Sequence, residues 1–414
     1  MTDKGIVKMQ TKYKLQRLDL IVLTALAAAY FILLRYLHHD ISNTLISCND
    51  DFFNADTAEV YEQIGGFYLN LDTMKHTIPY ALLFLLEKIR MTLPGVQEVL
   101  TRQDIFLLIA SLNVCLAYVI TKVTTNNYIS SLLIAILFGL SFSQLTVGSF
   151  PETYGITIFC LLSYLAFYNI CSKSIKKNDF ILRVMGSAFL GLCHLPLVLV
   201  GLYSHNHQQN SFLTKSSLIV LSGAIFATSP MWSVSLISPS AAALIYDYTG
   251  NNASINNFLE FENWLNVINN LYVVGLWNPA QIVQEIYAVT DTGYFAILVF
   301  VIVIGLICRL TAKLDVYRRA QALSVLLISV GQICFYIFFA PDYSALFAVT
   351  AIAIVIPLMA LIIKDFNLSH KSLVLGMIIF IGYTNSITML ATPSEPIDGN
   401  CYNWGVKQGL MRVF

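Results

Sequence analysis

Phe180-Ile-Leu-Arg-Val-Met-Gly-Ser-Ala-Phe-Leu-Gly-Leu-Cys-His194-Leu-Pro196-Leu-Val-Leu-Val-Gly-Leu-Tyr203 is the run on which the topology of this chain turns. It is apolar and long enough to cross a bilayer, which takes about 20 such residues. His194-Leu195-Pro196 interrupts it. It therefore reads either as one kinked helix or as two short halves that dip into the membrane and return.

The surrounding charges bear on that choice. The N-terminal tail carries Lys4, Lys8, Lys12, Lys14 and Arg17, which the positive-inside rule assigns to the cytoplasm. Lys173, Lys176 and Lys177 form a second basic cluster, Arg309, Lys313, Arg318 and Arg319 a third, and Lys364 with Lys371 flanks a fourth loop. All four share one side only if Phe180–Tyr203 dips and returns and if Pro79–Met91 does not span. Pro79–Met91 is short and carries Glu87, Lys88 and Arg90, so it suits an interfacial helix.

Composition agrees with a membrane setting. Apolar residues are 57% of 414, charged residues 12%, and mean hydropathy is +0.69. A soluble domain is about 25% charged, so this chain has too few charges to face water on all sides. Lys+Arg and Asp+Glu balance at 24 each, which gives no support to nucleic-acid binding. The further spanning runs are Leu18–Leu37, Ile105–Lys122, Ile129–Val147, Gly155–Cys171, Leu218–Trp232, Tyr294–Leu310, Ala322–Ala340, Leu346–Ile363 and Leu373–Leu390. The expected fold is an all-α, polytopic membrane protein of roughly ten transmembrane helices, N-terminus in and C-terminus out. It forms a single membrane domain with no internal repeat. The far side receives a first loop from His38 to about Gln103, a second from about Ser233 to Thr292, and the tail from Ala391 to Phe414. Phe258–Tyr272 has the spacing of an amphipathic helix on the membrane surface. The first run is read as a retained anchor. The eight cysteines are scattered without metal spacing. Cys48 and Cys401 are the two expected on the outer face, where an oxidising compartment lets them pair.

The first outer loop is the most polar stretch, with Asp50, Asp51, Asp56, Glu59, Glu62 and Asp72. Asp56-Thr-Ala-Glu59 matches a capping box, which explains Asp56 and Glu59 but not Asp50 or Asp51. Glu152, in Phe150-Pro-Glu-Thr-Tyr154, joins two spans at the outer face. It reads equally as a helix-capping turn acid and as a carboxylate held near the bilayer for function. If the first loop folds over this turn, Asp56 and Glu152 face one cavity.

These residues resemble the GT-C-fold polytopic glycosyltransferases that use lipid-phosphate sugar donors. The likeness rests on the basic start and single span, then Asp56-x4-Tyr61 in the outer loop. It continues through His76-x-x-Pro79-Tyr80, Arg102 opening the next span, and Glu152 between the third and fourth spans. It covers roughly residues 1–200. The chain departs from the family in having Ile78-Pro79 where Pro-Pro is common and in lacking a large soluble C-terminal domain. The resemblance implies inverting transfer of a sugar from a polyprenyl-phosphate donor to a glycan or lipid-linked glycan acceptor, at the periplasmic face of an inner (plasma) membrane. Such transfer needs a carboxylate base and cations for the departing phosphate. Asp56 is the first candidate base and Asp51 the second, while Glu152 positions the acceptor or shares that role. Lys75, His76 and Arg102 are the candidate phosphate contacts, and Asp50, Tyr61, Tyr80 and Tyr154 complete the candidate binding residues. For Lys75 and Arg102, snorkelling to headgroups is an equal reading. His194 beside Pro196 reads as a buried residue satisfying a kink, and Asp342 as a solvated turn residue. Asp50-Asp51 with Glu152 offers hard oxygen ligands to a divalent cation (Mg or Mn), although nothing in the spacing demands one. Length and an outer tail are similar to phage-type enzymes that glucosylate bacterial O-antigen from undecaprenyl phosphate. An O-antigen polymerase or ligase is a competing reading, disfavoured because Ser233–Thr292 has no Arg or Lys. A lipid-linked glycan flippase is third, because the spans are nearly free of charge.

Overall fold

The structure is a computed structural model that describes residues 16–39, 60, 76–149, 152–171, 179–204, 212–237, 254–277, 316–339 and 347–391. Among these residues the chain is helical, with no strand. Five helices are long and apolar enough to cross a membrane, or six if one bent pair counts as a span. The run Tyr294–Leu310, most of the first outer loop, the tail beyond Ala391, and Cys48, Cys401 and Asp342 lie outside the described residues.

The first helix, α1 (Arg17–His39), is followed by α2 (Thr77–Thr92), which is too short and too charged to span. α3 (Arg102–Thr125) begins at a capping box. Thr101 Oγ1 accepts from Asp104 N at 3.2 Å, and Asp104 Oδ2 accepts from Thr101 N at 2.7 Å. It ends at Asn126, in the left-handed region at φ 53°. α1 runs antiparallel to α3, tied near one end by Tyr118 Oη to Asp19 Oδ1 at 3.0 Å and near the other by Arg35 to Asp104 at 3.3 Å.

The expected span Ile129–Val147 is broken. α4 (Tyr128–Gly139) and α5 (Phe142–Ser149) meet at 62°. A break in an apolar setting needs partners for the freed backbone groups, and they come from far along the chain. Tyr30 Oη donates to Gly139 O at 2.7 Å, and Asn385 Nδ2 donates to Leu140 O at 2.8 Å. Phe142 N and Ser143 N donate to Leu276 O and Gly275 O. α6 (Thr153–Cys171) then runs beside and parallel to α3, with Asn113 Nδ2 donating to Gly155 O at 2.9 Å.

Phe180–Tyr203 folds back on itself instead of forming one kinked helix. α7 (Asp179–Cys193) ends at His194, and a tight 3-10 return segment (Leu195–Leu202) comes back along it. Arg183 Nε donates to Gly201 O and Ser187 Oγ to Val198 O, both at 2.7 Å, which joins the two arms rung by rung. α8 (Phe212–Ile237) packs against both arms. The helices close because Gly191 faces Val198 and Ala227 and leaves no room for a Cβ, which would fall 2.5 Å from Val198 Cγ1.

The segment expected on the membrane surface is instead packed into the bundle. α9 (Phe261–Ile268) leads into the wide-turned Asn269–Val274, and Val267, Ile268 and Leu271 are buried against Ile333, Tyr336 and Ile337. Phe261, counted among its apolar positions, is exposed. α10 (Val316–Phe339), the short α11 (Ala348–Lys364) and α12 (Leu368–Ala391) complete the described bundle. Arg17, Lys122, Lys215, Arg318, Arg319, Lys364 and Lys371 all fall towards one end, here termed the basic end. His194 lies towards the other, distal end.

Candidate functional site

Four helical segments begin at one place towards the distal end. His76 precedes α2, Glu152 precedes α6, His194 precedes the return segment and Phe347 precedes α11. Their rings interlock. His76 stacks on His194 at 5.6 Å between centroids, and Tyr154 meets them edge-on at 5.4 and 5.3 Å. Phe347 lies 5.1 Å from His194 and 4.5 Å from Tyr336, on which it stacks. His194 Nε2 and Tyr336 Oη are 2.8 Å apart. His76 Nδ1 donates to Cys193 O at 2.9 Å, which fixes the proton on that nitrogen and ties α2 to the hairpin tip.

Glu152 is buried, and its Oε1 accepts from Thr153 N at 2.8 Å and from Thr153 Oγ1 at 3.0 Å. The carboxylate thus caps α6, as one reading of the sequence held. The cap does not remove it from the site, because Tyr154 is two residues on. Helix N-termini carry partial positive charge, which at α6 the Glu152 carboxylate already meets by accepting from Thr153 N. Four of them, two histidines and a carboxylate make this place suited to hold an anion and to move a proton beside it.

Of the residues singled out from sequence, His76, Glu152 and Tyr154 meet here, and Tyr80 is buried one turn into α2. Arg102 does not join them. It lies beyond the other end of α2, about 16 Å along the helix from His76 at 1.5 Å per residue. There Arg102 Nε donates to Glu87 Oε1 at 3.0 Å, and Arg90 grips the same carboxylate through Nε at 2.7 Å and Nη2 at 2.9 Å. Burial alone would raise the Glu87 carboxyl, but the hydrogen bonds and charges of the two arginines outweigh it and hold it below its ordinary 4.5. Asp50, Asp51, Asp56, Tyr61 and Lys75 lie outside the described residues. Val60, between Asp56 and Tyr61, is described and fully buried in the main core. No group of three His, Cys, Asp or Glu side chains among the described residues gathers to hold a metal ion.

Sequence reasoning missed three members of this cluster. His194 read as a kink residue, and the interruption of an apolar run by His-Leu-Pro was the one signal that marked it. Tyr336 and Phe347 carry no local signal, because they reach His194 from 142 and 153 residues away. No family model, curated protein or solved structure matches the chain.

Proposed function

We propose that this chain transfers a sugar from a polyprenyl-phosphate donor to a glycan hydroxyl at the non-cytoplasmic face of an inner (plasma) membrane, in the manner of phage-type O-antigen modification. The observation that carries this reading is the meeting of four helix N-termini with His76, His194 and Glu152 at the end away from the basic one. A lipid-borne phosphate suits that positive focus. The aromatic walls of Tyr154, Tyr336 and Phe347 suit the apolar faces of a sugar ring. The clustering of Arg17, Arg318, Arg319 and Lys371 at the opposite end agrees with a cytoplasmic basic end.

In this reading a carboxylate accepts the proton of the acceptor hydroxyl while its oxygen attacks the anomeric carbon from the face opposite the phosphate. The anomeric C–O bond breaks and its electron pair leaves with polyprenyl phosphate, so configuration inverts. His76 and the helix termini steady the phosphate as charge develops. Glu152 is the described candidate for the base or for orienting the acceptor, with Asp56 and Asp51 its partners in the first loop. Val60, which stands between Asp56 and Tyr61 in the sequence, is buried in the core.

The test is transfer from undecaprenyl-phosphate hexoses by purified wild-type, Asp56→Asn, Asp51→Asn and Glu152→Gln proteins. Loss of a general base lowers turnover by about 10²–10⁴-fold, and that loss is expected in at least one of the three. Normal turnover in all three folded variants contradicts the proposal.

A further inference from the structure

Gln332, in α10, is fully buried, and neither end of its carboxamide has a hydrogen-bond partner among the described residues. Leaving a buried polar group unpaired costs about 1–3 kcal/mol, a cost that leucine or methionine would avoid at the same position. Gln332 lies one helical turn from Tyr336, on the same face of α10. Tyr336 is the residue that meets His194 at 2.8 Å and stacks on Phe347. Ser329, one turn the other way, neighbours the Tyr272 phenol. Tyr272 belongs to Asn269–Val274, whose turns are widened to i→i+5, a departure from α geometry that recurs at functional sites. A polar strip therefore leads along α10 into the histidine cluster, and its middle member has no partner among the described residues.

We propose that the Gln332 carboxamide reads the hydroxyls of the sugar carried by the donor, as a specificity-determining residue. A carboxamide sets a donor beside an acceptor, and neighbouring ring hydroxyls present the complementary pair. A site built to bond a hydroxyl discriminates strongly against a ligand that lacks it. The proposal deepens the glycosyl-transfer reading and rests on it for the identity of the ligand.

Wild-type, Gln332→Leu and Gln332→Met proteins in nanodiscs are titrated with undecaprenyl-phosphate glucose, mannose and galactose, and with bare undecaprenyl phosphate. Binding is read by thermal stabilisation, and transfer is measured in parallel. At least one glycosylated lipid should bind wild type more tightly than the bare lipid does. Both variants should keep their affinity for the bare lipid and lose about tenfold for the glycosylated one, with kcat/KM falling alike. Either variant suffices if the other fails to fold. Variants that distinguish sugar-bearing from bare lipid as wild type does overturn the proposal, as does a wild type that makes no such distinction. If transfer persists in those variants, glycosyl transfer stands without Gln332. A wild type that distinguishes the lipids through Gln332 but never transfers sugar keeps the recognition and removes the reaction.

Discussion

The two ends of the hairpin formed by α7 and its return segment are built on different principles. At the basic end the polar groups form a closed network. Tyr203 Oη donates to Asn169 Oδ1 at 3.0 Å, Gln321 Nε2 donates to Tyr203 Oη at 2.6 Å, and Arg183 binds Gly201 O and Ser216 Oγ. At the distal tip His194 meets one hydroxyl and four rings, and Gln332, one turn from Tyr336, has no partner among the described residues. A buried network whose members bond one another fixes structure. A buried amide left unbonded costs stability and is kept for something else. The hairpin is thus anchored at one end and chemically open at the other.

Polar groups near the break between α4 and α5 can collapse that distinction. Asn385 is fully buried and donates to both Leu140 O and Leu276 O, at 2.8 and 2.9 Å. If closed networks are scaffold, Asn385→Leu takes a donor from Leu140 O, while Leu276 O keeps Phe142 N, and lowers stability by about 1–3 kcal/mol. Chemical denaturation in detergent checks this, and turnover per folded molecule should be unchanged. A folded, stable and inactive Asn385→Leu would break the comparison.

The Glu87, Arg90 and Arg102 cluster sharpens it, because it is a closed network at the distal end. Its carboxyl is held below 4.5, so its contribution is present above the unfolded value and is lost as pH falls through the folded one. Wild type should therefore lose stability on acidification below about pH 4.5, and Glu87→Gln should lose less over the same range. At neutral pH Glu87→Gln should cost about 1–2 kcal/mol, since the arginines keep partial access to water. Parallel acid-denaturation curves for the two proteins would show that this cluster does not set the pH dependence.

Much of the scaffold was legible from residue type alone. Apolar runs gave α1, α3, α6, α10, α11 and α12 because a spanning helix must satisfy its own backbone and so announces itself by length. The four basic clusters argued for a dip and return at His194-Leu-Pro196, and the hydrogen bonds of Arg183 and Ser187 show the chain folding back on itself there. The break at Leu140 and Ser141 was not legible. Its local sequence, Phe138-Gly-Leu-Ser-Phe-Ser-Gln144, holds small and polar residues that a continuous helix also carries, and the groups that make a break tolerable are Tyr30, Gly275, Leu276 and Asn385. The site was half legible for the same reason. His76, Glu152 and Tyr154 stood out as polar residues at boundaries. Arg102 stood out equally, yet its charge is engaged by Glu87 from the preceding helix. Tyr336 and Gln332 lie inside a span, where sequence offers no hint of which face they take.

Paired substitution at the two hairpin ends tests the account most directly. Turnover with undecaprenyl-phosphate hexoses and thermal stability are both measured for His194→Ala and Gln321→Leu. His194→Ala should abolish most turnover per folded molecule and also lower Tm, since it removes a buried ring and the Tyr336 hydrogen bond. Gln321→Leu should lower Tm and leave turnover per folded molecule intact. The reverse pattern, or turnover indifferent to His194, would contradict the account.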